Sequence, residues 1–308
     1  MAHLVYGIAV DSDLPLAAPP VATPASLRIA VRSGPVPDPE VRWLDDPDDA
    51  DCACGRLPDG RFLLRFEGVA DFVIDPAGTS IDWWSPDGPS ALLVHLALDH
   101  ALPQAMMRRG RLVLHASCLV SPGGRCYAVV GESGRGKSTL AAVLSSRGHR
   151  FVADDCAVID LVDGVPRVTA AYPELRLHGT SLAMIDTSGI RPAGIVSELG
   201  GKVRLALSDQ DRWNGWADWP LDAIVVLAPS PPAGGGLHPL APGEALIALL
   251  RQSFHLTDGG RERLDLLDRL AHLVDACGVL TTHYEHTLAG LEQVVEDIER
   301  HVGTDGPG

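Results

Sequence analysis

The segment Gly131-Glu132-Ser133-Gly134-Arg135-Gly136-Lys137-Ser138-Thr139 fits the pattern G-x-x-x-x-G-K-[ST] at each fixed position. Its flanks constrain the fold as much as the motif does. Ahead of it, residues 126–130 (Cys-Tyr-Ala-Val-Val) form a short apolar run that reads as a buried strand. Behind it, Leu140, Val143 and Leu144 recur at helical spacing, and Gly148 supplies a stop. Strand, glycine loop and helix in that order predict an α/β chain. Backbone N–H groups at a helix N-terminus favour negative charge. The nine loop residues therefore predict a cradle for the β- and γ-phosphates of a nucleoside triphosphate. Lys137 can reach the outer phosphates and the Ser138 hydroxyl can ligate Mg²⁺.

The rest of the chain divides near residue 110. Residues 26–32 alternate polar and apolar, as a half-buried strand does, and further strands are predicted at 61–66, 70–74 and 80–84. Asp75-Pro76-Ala77-Gly78 makes the turn between the last two, which suggests a small antiparallel meander. A dense apolar pattern from Ser90 to Arg109 predicts a helix that Pro103 should kink or end. From Arg111 the pattern changes to alternating strands and helices. Strands are predicted at 112–116, 126–130, 150–153 and 221–228, and helices at about 243–254, 261–276 and 287–302. The expected organisation is a small β-rich N-terminal module over 1–110 and a nucleotide-binding α/β core over 111–308.

A second set of residues surrounds the loop. The run Phe151-Val152-Ala153 ends in Asp154 and Asp155, and Asp154 lies 17 residues after Lys137. An apolar strand ending in an acid is how loop-type NTPases bring a carboxylate to Mg²⁺. Two consecutive acids at a strand end face opposite sides. One can serve the metal while the other takes the proton of an acceptor hydroxyl. His115 lies 16 residues before Gly131. Adjacent parallel strands would bring it to the same place, where it could orient or tune the base.

Composition narrows the partners. The formal net charge is -15 and no basic stripe is visible, which argues against a nucleic-acid partner. No apolar run is long enough to span a membrane, and residues 1–20 lack the pattern of a secretory signal. The expected compartment is the cytoplasm, with its cysteines reduced. Cys118, Cys126 and Cys156 sit in apolar strands and read as core. Cys52 and Cys54 have no second pair nearby to complete a zinc site. Trp213, Trp216 and Trp219 either pack on the core or line an acceptor groove.

Three segments together resemble the catalytic region of HPr kinase/phosphorylase: Leu114-His115-Ala116, the loop Gly131–Ser138, and residues 147–155, Arg-Gly-His-Arg-Phe-Val-Ala-Asp-Asp. The resemblance covers residues 112–155 and implies a core akin to phosphoenolpyruvate carboxykinase. It also implies an ATP- and Mg²⁺-dependent kinase acting on a serine hydroxyl. On that resemblance Asp154 is the base, His115 its helper, Lys137 a catalytic cation, and Ser138 and Asp155 are metal contacts. The family's next motif survives only in its opening, Glu174-Leu175-Arg176, and makes Glu174 a candidate metal acid; residues 200–204 could supply a cation. The N-terminal module is unlike that of HPr kinases, whereas the opening Tyr6–Leu14 looks similar to kinases of lasso-peptide precursors. The resemblance thus implies a peptide or protein acceptor and a homo-oligomer. Kinase action on free serine and a non-kinase ATP-binding module are the alternatives.

Overall fold

The protein is described from a computed structural model covering residues 2–16, 18, 20, 28–34, 40–44, 52–178, 192–199, 202–207, 217–230, 236–254 and 260–302. Two compact units result, Met1–Val113 with Phe254–Arg263, and Leu114–Ser253 with Leu264–Gly308. The return of 254–263 to the first unit has no signature in the periodicity of the sequence.

In the first unit, eight strands form one sheet: β1 (Ala2–Val5), β2 (Ile8–Ser12), β3 (Arg28–Ser33), β4 (Arg42–Trp43), β5 (Ala53–Arg56), β6 (Phe62–Phe66), β7 (Ala70–Ile74) and β8 (Ser80–Trp84). Their order is β1-β2-β3-β8-β7-β6-β5-β4. The meander β6-β7-β8 is antiparallel, but β3 lies parallel to both β2 and β8, so the sheet is mixed. Asp75 pins the β7–β8 turn by accepting the N–H groups of Ala77, Thr79 and Ser80. Every residue of β7 is buried, and the one charge among them, Asp71, accepts two 2.8 Å bonds from Arg65 on the neighbouring strand. Such a bidentate pair is the geometry that makes a buried charge tolerable.

After β8 the chain turns into α1 (Ala91–Leu96), capped by the Ser90 hydroxyl, and then α2 (Leu102–Arg108). Pro103 does not end the helical path. A π-turn over Ala97–Ala101 precedes it, with the Leu102 N–H bonded back to Ala97. The wider turn relieves the clash a proline ring makes with the carbonyl four residues earlier.

The strands of the second unit that carry its site are β10 (Ala116–Val120), β11 (Cys126–Val130), β12 (Arg150–Ala153), β13 (Ala157–Val162), β14 (Val165–Thr169) and β18 (Asp218–Leu227), in the order β12-β10-β11-β18-β14-β13. β19 (His238–Pro239) pairs with β20 (Gly278–Thr282), which also pairs with β18. β15 (Glu174–His178), β16 (Pro192–Leu199) and β17 (Lys202–Leu207) make a separate three-stranded sheet. The segment 112–116 is not one strand: β9 (Leu112–Leu114) stops and β10 starts on either side of His115. Nor are the strands flanking the loop parallel. β10 and β11 form an antiparallel hairpin, because the five residues between them are far too few for a parallel crossover. β11, β18 and β20 do run parallel to one another.

The core of this unit packs Leu119, Tyr127, Val129, Leu140, Leu144 and Phe151 against the helix Leu288–Val302. That helix buries Leu291, Val294, Val295, Ile298 and Val302 on one face, each worth about 1.5–3 kcal/mol of transfer free energy. Leu288, at its first turn, is exposed rather than part of the face. Among the described residues no helix is long and apolar enough to cross a membrane. Trp213, Trp216 and Gly200–Gly201, with the side chains of Lys202 and Arg204, lie outside the described residues. Trp219 is half-buried on β18.

Candidate active site

The glycine loop leaves β11 at Gly131 and feeds α3 (Lys137–Ser146), with Gly136 at its N-cap. Gly136 adopts φ +86°, and a Cβ there would stand 1.8 Å from the Tyr284 hydroxyl, so only glycine fits. Glu132, Ser133 and Gly134 are exposed, while Arg135, Ser138 and Thr139 are half-buried. The N-terminus of α3 faces this loop, and helix N-termini favour anions. Lys137 is buried and folds back across the loop, its Nζ donating to the Gly131 carbonyl at 2.7 Å and the Glu132 carbonyl at 3.3 Å. At the far end, Gly148 N–H bonds to Ser145 and His149 N–H to Leu144, a Schellman stop with Gly148 at φ +96°. His149 is then buried, its Nδ1 2.8 Å from the Tyr127 hydroxyl. The Arg147-Gly148-His149 run thus anchors the helix to the sheet.

Strand register assembles the rest. Ala116 opposes Val130 on β11, and Cys118 opposes Ala153 on β12. One step further along each ladder sets His115 beside Gly131, and Ser117 beside Asp154. Ser117 Oγ donates to Asp154 Oδ1 at 2.5 Å, and the loop's Ser138 Oγ reaches the same oxygen at 3.1 Å. The Arg176 N–H reaches Asp154 Oδ2 at 3.4 Å. Asp154 is 5% exposed. Burial, and then the adjacent Asp155 charge, push its carboxyl up to about 6, against the hydrogen bonds from Ser117, Arg176 and Ser138 that favour the anion.

Asp155 occupies a different environment. Its φ of +62° is left-handed, a region costly for a side-chain-bearing residue and most accessible to Asp and Asn. The Cys156 N–H closes a tight turn onto the Asp154 carbonyl at 2.8 Å. That turn swings the second carboxylate away from the first. Asp155 Oδ2 meets Arg176 Nη1 at 3.0 Å, and Oδ1 lies 3.8 Å from His115 Nε2. The loop serine therefore sits with Asp154 and the histidine with Asp155, crosswise to the pairing that the family resemblance implies. Glu174 is buried on β15, on the same face as Arg176 two residues on.

Two contributors were not singled out from sequence for these roles, Ser117 and Arg176. Ser117 lies only two residues after His115, and that closeness in sequence could have found it. Arg176 approaches through the separate three-stranded sheet, a placement no local pattern encodes. Ser138 Oγ and Asp154 Oδ1 are hard oxygen donors of the kind Mg²⁺ takes. Among the described residues no group of three His, Cys, Asp or Glu could hold a metal. Mg²⁺ at nucleotides is generally held by one or two protein oxygens, with phosphate oxygens and water completing its shell.

No protein-family model matches the chain. Curated relatives do. A stretch of 44 residues is 54% identical to the HPr kinase/phosphorylase of Clostridium novyi (strain NT), covering 14% of each chain. A stretch of 128 residues is 35% identical to that of Stenotrophomonas maltophilia (strain K279a), covering 40% of this chain and 34% of the relative. The chain thus spans about a third or less of the length of these relatives. Among solved structures, the Hpr(Ser) kinase/phosphatase from Coxiella burnetii aligns with 61% of this chain and 95% of its own, at 15% identity and a TM-score of 0.34. The protein thus carries a segment similar to part of the HPr kinase/phosphorylases.

Proposed function

We propose that this protein transfers the γ-phosphoryl group of ATP to a serine hydroxyl of a peptide or protein. One observation carries the reading: a phosphate loop whose serine bonds one carboxylate, beside a second carboxylate held by a histidine and an arginine. A nucleotide switch needs only the first acid; the second gives the acceptor proton a destination.

In the proposed reaction the loop amides and Lys137 hold the β- and γ-phosphates. The serine Oγ bonds to the γ-phosphorus as the bond to the β–γ bridging oxygen breaks, and ADP leaves. Asp155, the more exposed carboxylate of the two, takes the serine proton, with His115 orienting it and Arg176 holding it in place. Ser138 and Asp154 would hold Mg²⁺, with Glu174 as a further candidate; the ion supplies charge neutralisation on the phosphates. This allocation exchanges the two aspartates relative to the family resemblance, because hydroxyl and imidazole each sit against the other acid. The Tyr6–Leu14 likeness supports a precursor peptide as acceptor, in the cytoplasm.

Purified protein with ATP, Mg²⁺, a panel of serine peptides and free serine tests the reading by mass spectrometry. Phosphopeptide from the wild type and none from Lys137→Ala is the expected result. Transfer to free serine alone would move the acceptor to small molecules. ATP that neither binds nor reacts would sink the proposal.

A further inference from the structure

The carboxyl ends of β11, β18 and β20 lie side by side, since these three strands are parallel neighbours. In such sheets ligands bind at that edge. The glycine loop leaves from β11; Leu227 and Ala228 end β18; and Tyr284 and His286 follow β20. Together with Arg135 they enclose a cavity of about 290 Å³ next to the loop. We propose that this cavity receives the purine base of the nucleoside triphosphate, with the Tyr284 and His286 rings as its platform. The inference rests on the phosphotransferase reading above and extends it from the phosphates to the base.

Four observations support it. The Tyr284 and His286 rings are stacked on each other, 5.4 Å between centroids and 15° between planes, so the pair can extend the stack to a ligand plane on an outer face. Leu227 is buried and apolar, and forms a dry wall against which a base can rest. Arg135 belongs to the loop itself and is tied to the Pro229 carbonyl at 3.5 Å, so one residue borders both phosphates and cavity. Tyr284 Oη also donates to the Gly136 carbonyl at 3.4 Å. The ring is thereby fixed against the loop, and the distance from base platform to phosphate cradle is set by the fold. A purine needs such a flat slot; a bare triphosphate gains nothing from it.

Calorimetric affinities for ATP and for inorganic tripolyphosphate, each with Mg²⁺, test this. Wild type is expected to bind ATP at least about tenfold more tightly than tripolyphosphate, the scale of one base stacked on an aromatic ring. His286→Ala, at an exposed position, should lower ATP affinity by up to about tenfold and leave tripolyphosphate affinity unchanged. Tyr284→Phe keeps the ring and should retain the preference for ATP. Equal wild-type affinities, or equal losses for both ligands in His286→Ala, overturn the base pocket while leaving the phosphate loop intact. Failure of wild type to bind either ligand overturns the inference together with the reading beneath it.

Discussion

Asp154 and Asp155 are neighbours in the chain and occupy opposite kinds of site. Asp154 is enclosed and accepts bonds from two hydroxyls and one backbone N–H, all uncharged donors. Asp155 sits after a left-handed turn with a guanidinium and an imidazole. Uncharged donors leave a buried carboxylate wanting a cation, and none of the three donors here supplies one. Asp155 instead lies against two groups that can carry positive charge. The contrast teaches that a tight turn at one strand end can place two consecutive carboxylates in different surroundings, which the proposed function assigns to a metal and to an acceptor.

The largest expected effects break or uphold that division. Asp155→Asn should keep Mg²⁺-dependent ATP affinity within a few-fold and reduce phosphotransfer by roughly 10²- to 10⁴-fold, the usual contribution of a positioned base. Asp154→Asn should remove the Mg²⁺ dependence of ATP affinity itself. Calorimetry with and without Mg²⁺, alongside single-turnover transfer, separates the two variants. If Asp154→Asn binds Mg·ATP normally and only transfer is lost, the roles revert to those the family resemblance implies.

Next in size is the stability cost of the enclosed acid. In the metal-free protein the folded carboxyl titrates at about 6, above its ordinary value of 3.8. Between those pH values the folded state holds a proton that the unfolded state has lost. Stability must therefore fall as pH rises through that window. The cost is fully present above about pH 6 and amounts to on the order of 3 kcal/mol. Denaturant melts in chelator from pH 4 to 7 should show wild type losing stability relative to Asp154→Asn. Parallel curves for the two proteins would mean that Asp154 is not an isolated buried charge.

A smaller effect attaches to His115. Its contact with Asp155 is 3.8 Å and the ring is a third exposed, so the pair is worth about 1 kcal/mol at most. His115→Ala should then slow transfer by a factor of about five and shift its pH profile, with ATP affinity unchanged. A loss as large as that of Asp155→Asn would make the histidine, not the aspartate, the proton acceptor.

The loop was legible in sequence because it is local. Nine consecutive residues, a strand before and a helix after, contain the geometry within themselves. Gly148, as the helix stop, is local in the same way. The acid cluster is not: its members come from β10, the loop helix, the end of β12 and β15, and only register and turn conformation decide which touches which. Sequence placed His115 near the acids through a parallel pairing, whereas a five-residue hairpin brings it there. Residue identity gave two aspartates; the φ of Asp155 decided where each one points. Tyr284 carried no sequence signal at all, since its partner Gly136 lies 148 positions away.

Ser117 gives the finest test of the contrast. Its hydroxyl donates to Asp154 in a buried position, and a bond to an ionised carboxylate is worth more than one to the neutral acid. Ser117→Ala should cost about 1–2 kcal/mol at pH 8. Less should be lost at pH 5, where Asp154 is largely protonated in the metal-free protein. Placing Ser117→Ala in the Asp154→Asn background should erase that pH dependence, because the group that titrates is gone. A pH-independent loss in both backgrounds would trace the effect to packing of β10 rather than to the carboxylate. Ser117 would then be part of the wall around Asp154, and Ser138 alone would tie that acid to the glycine loop.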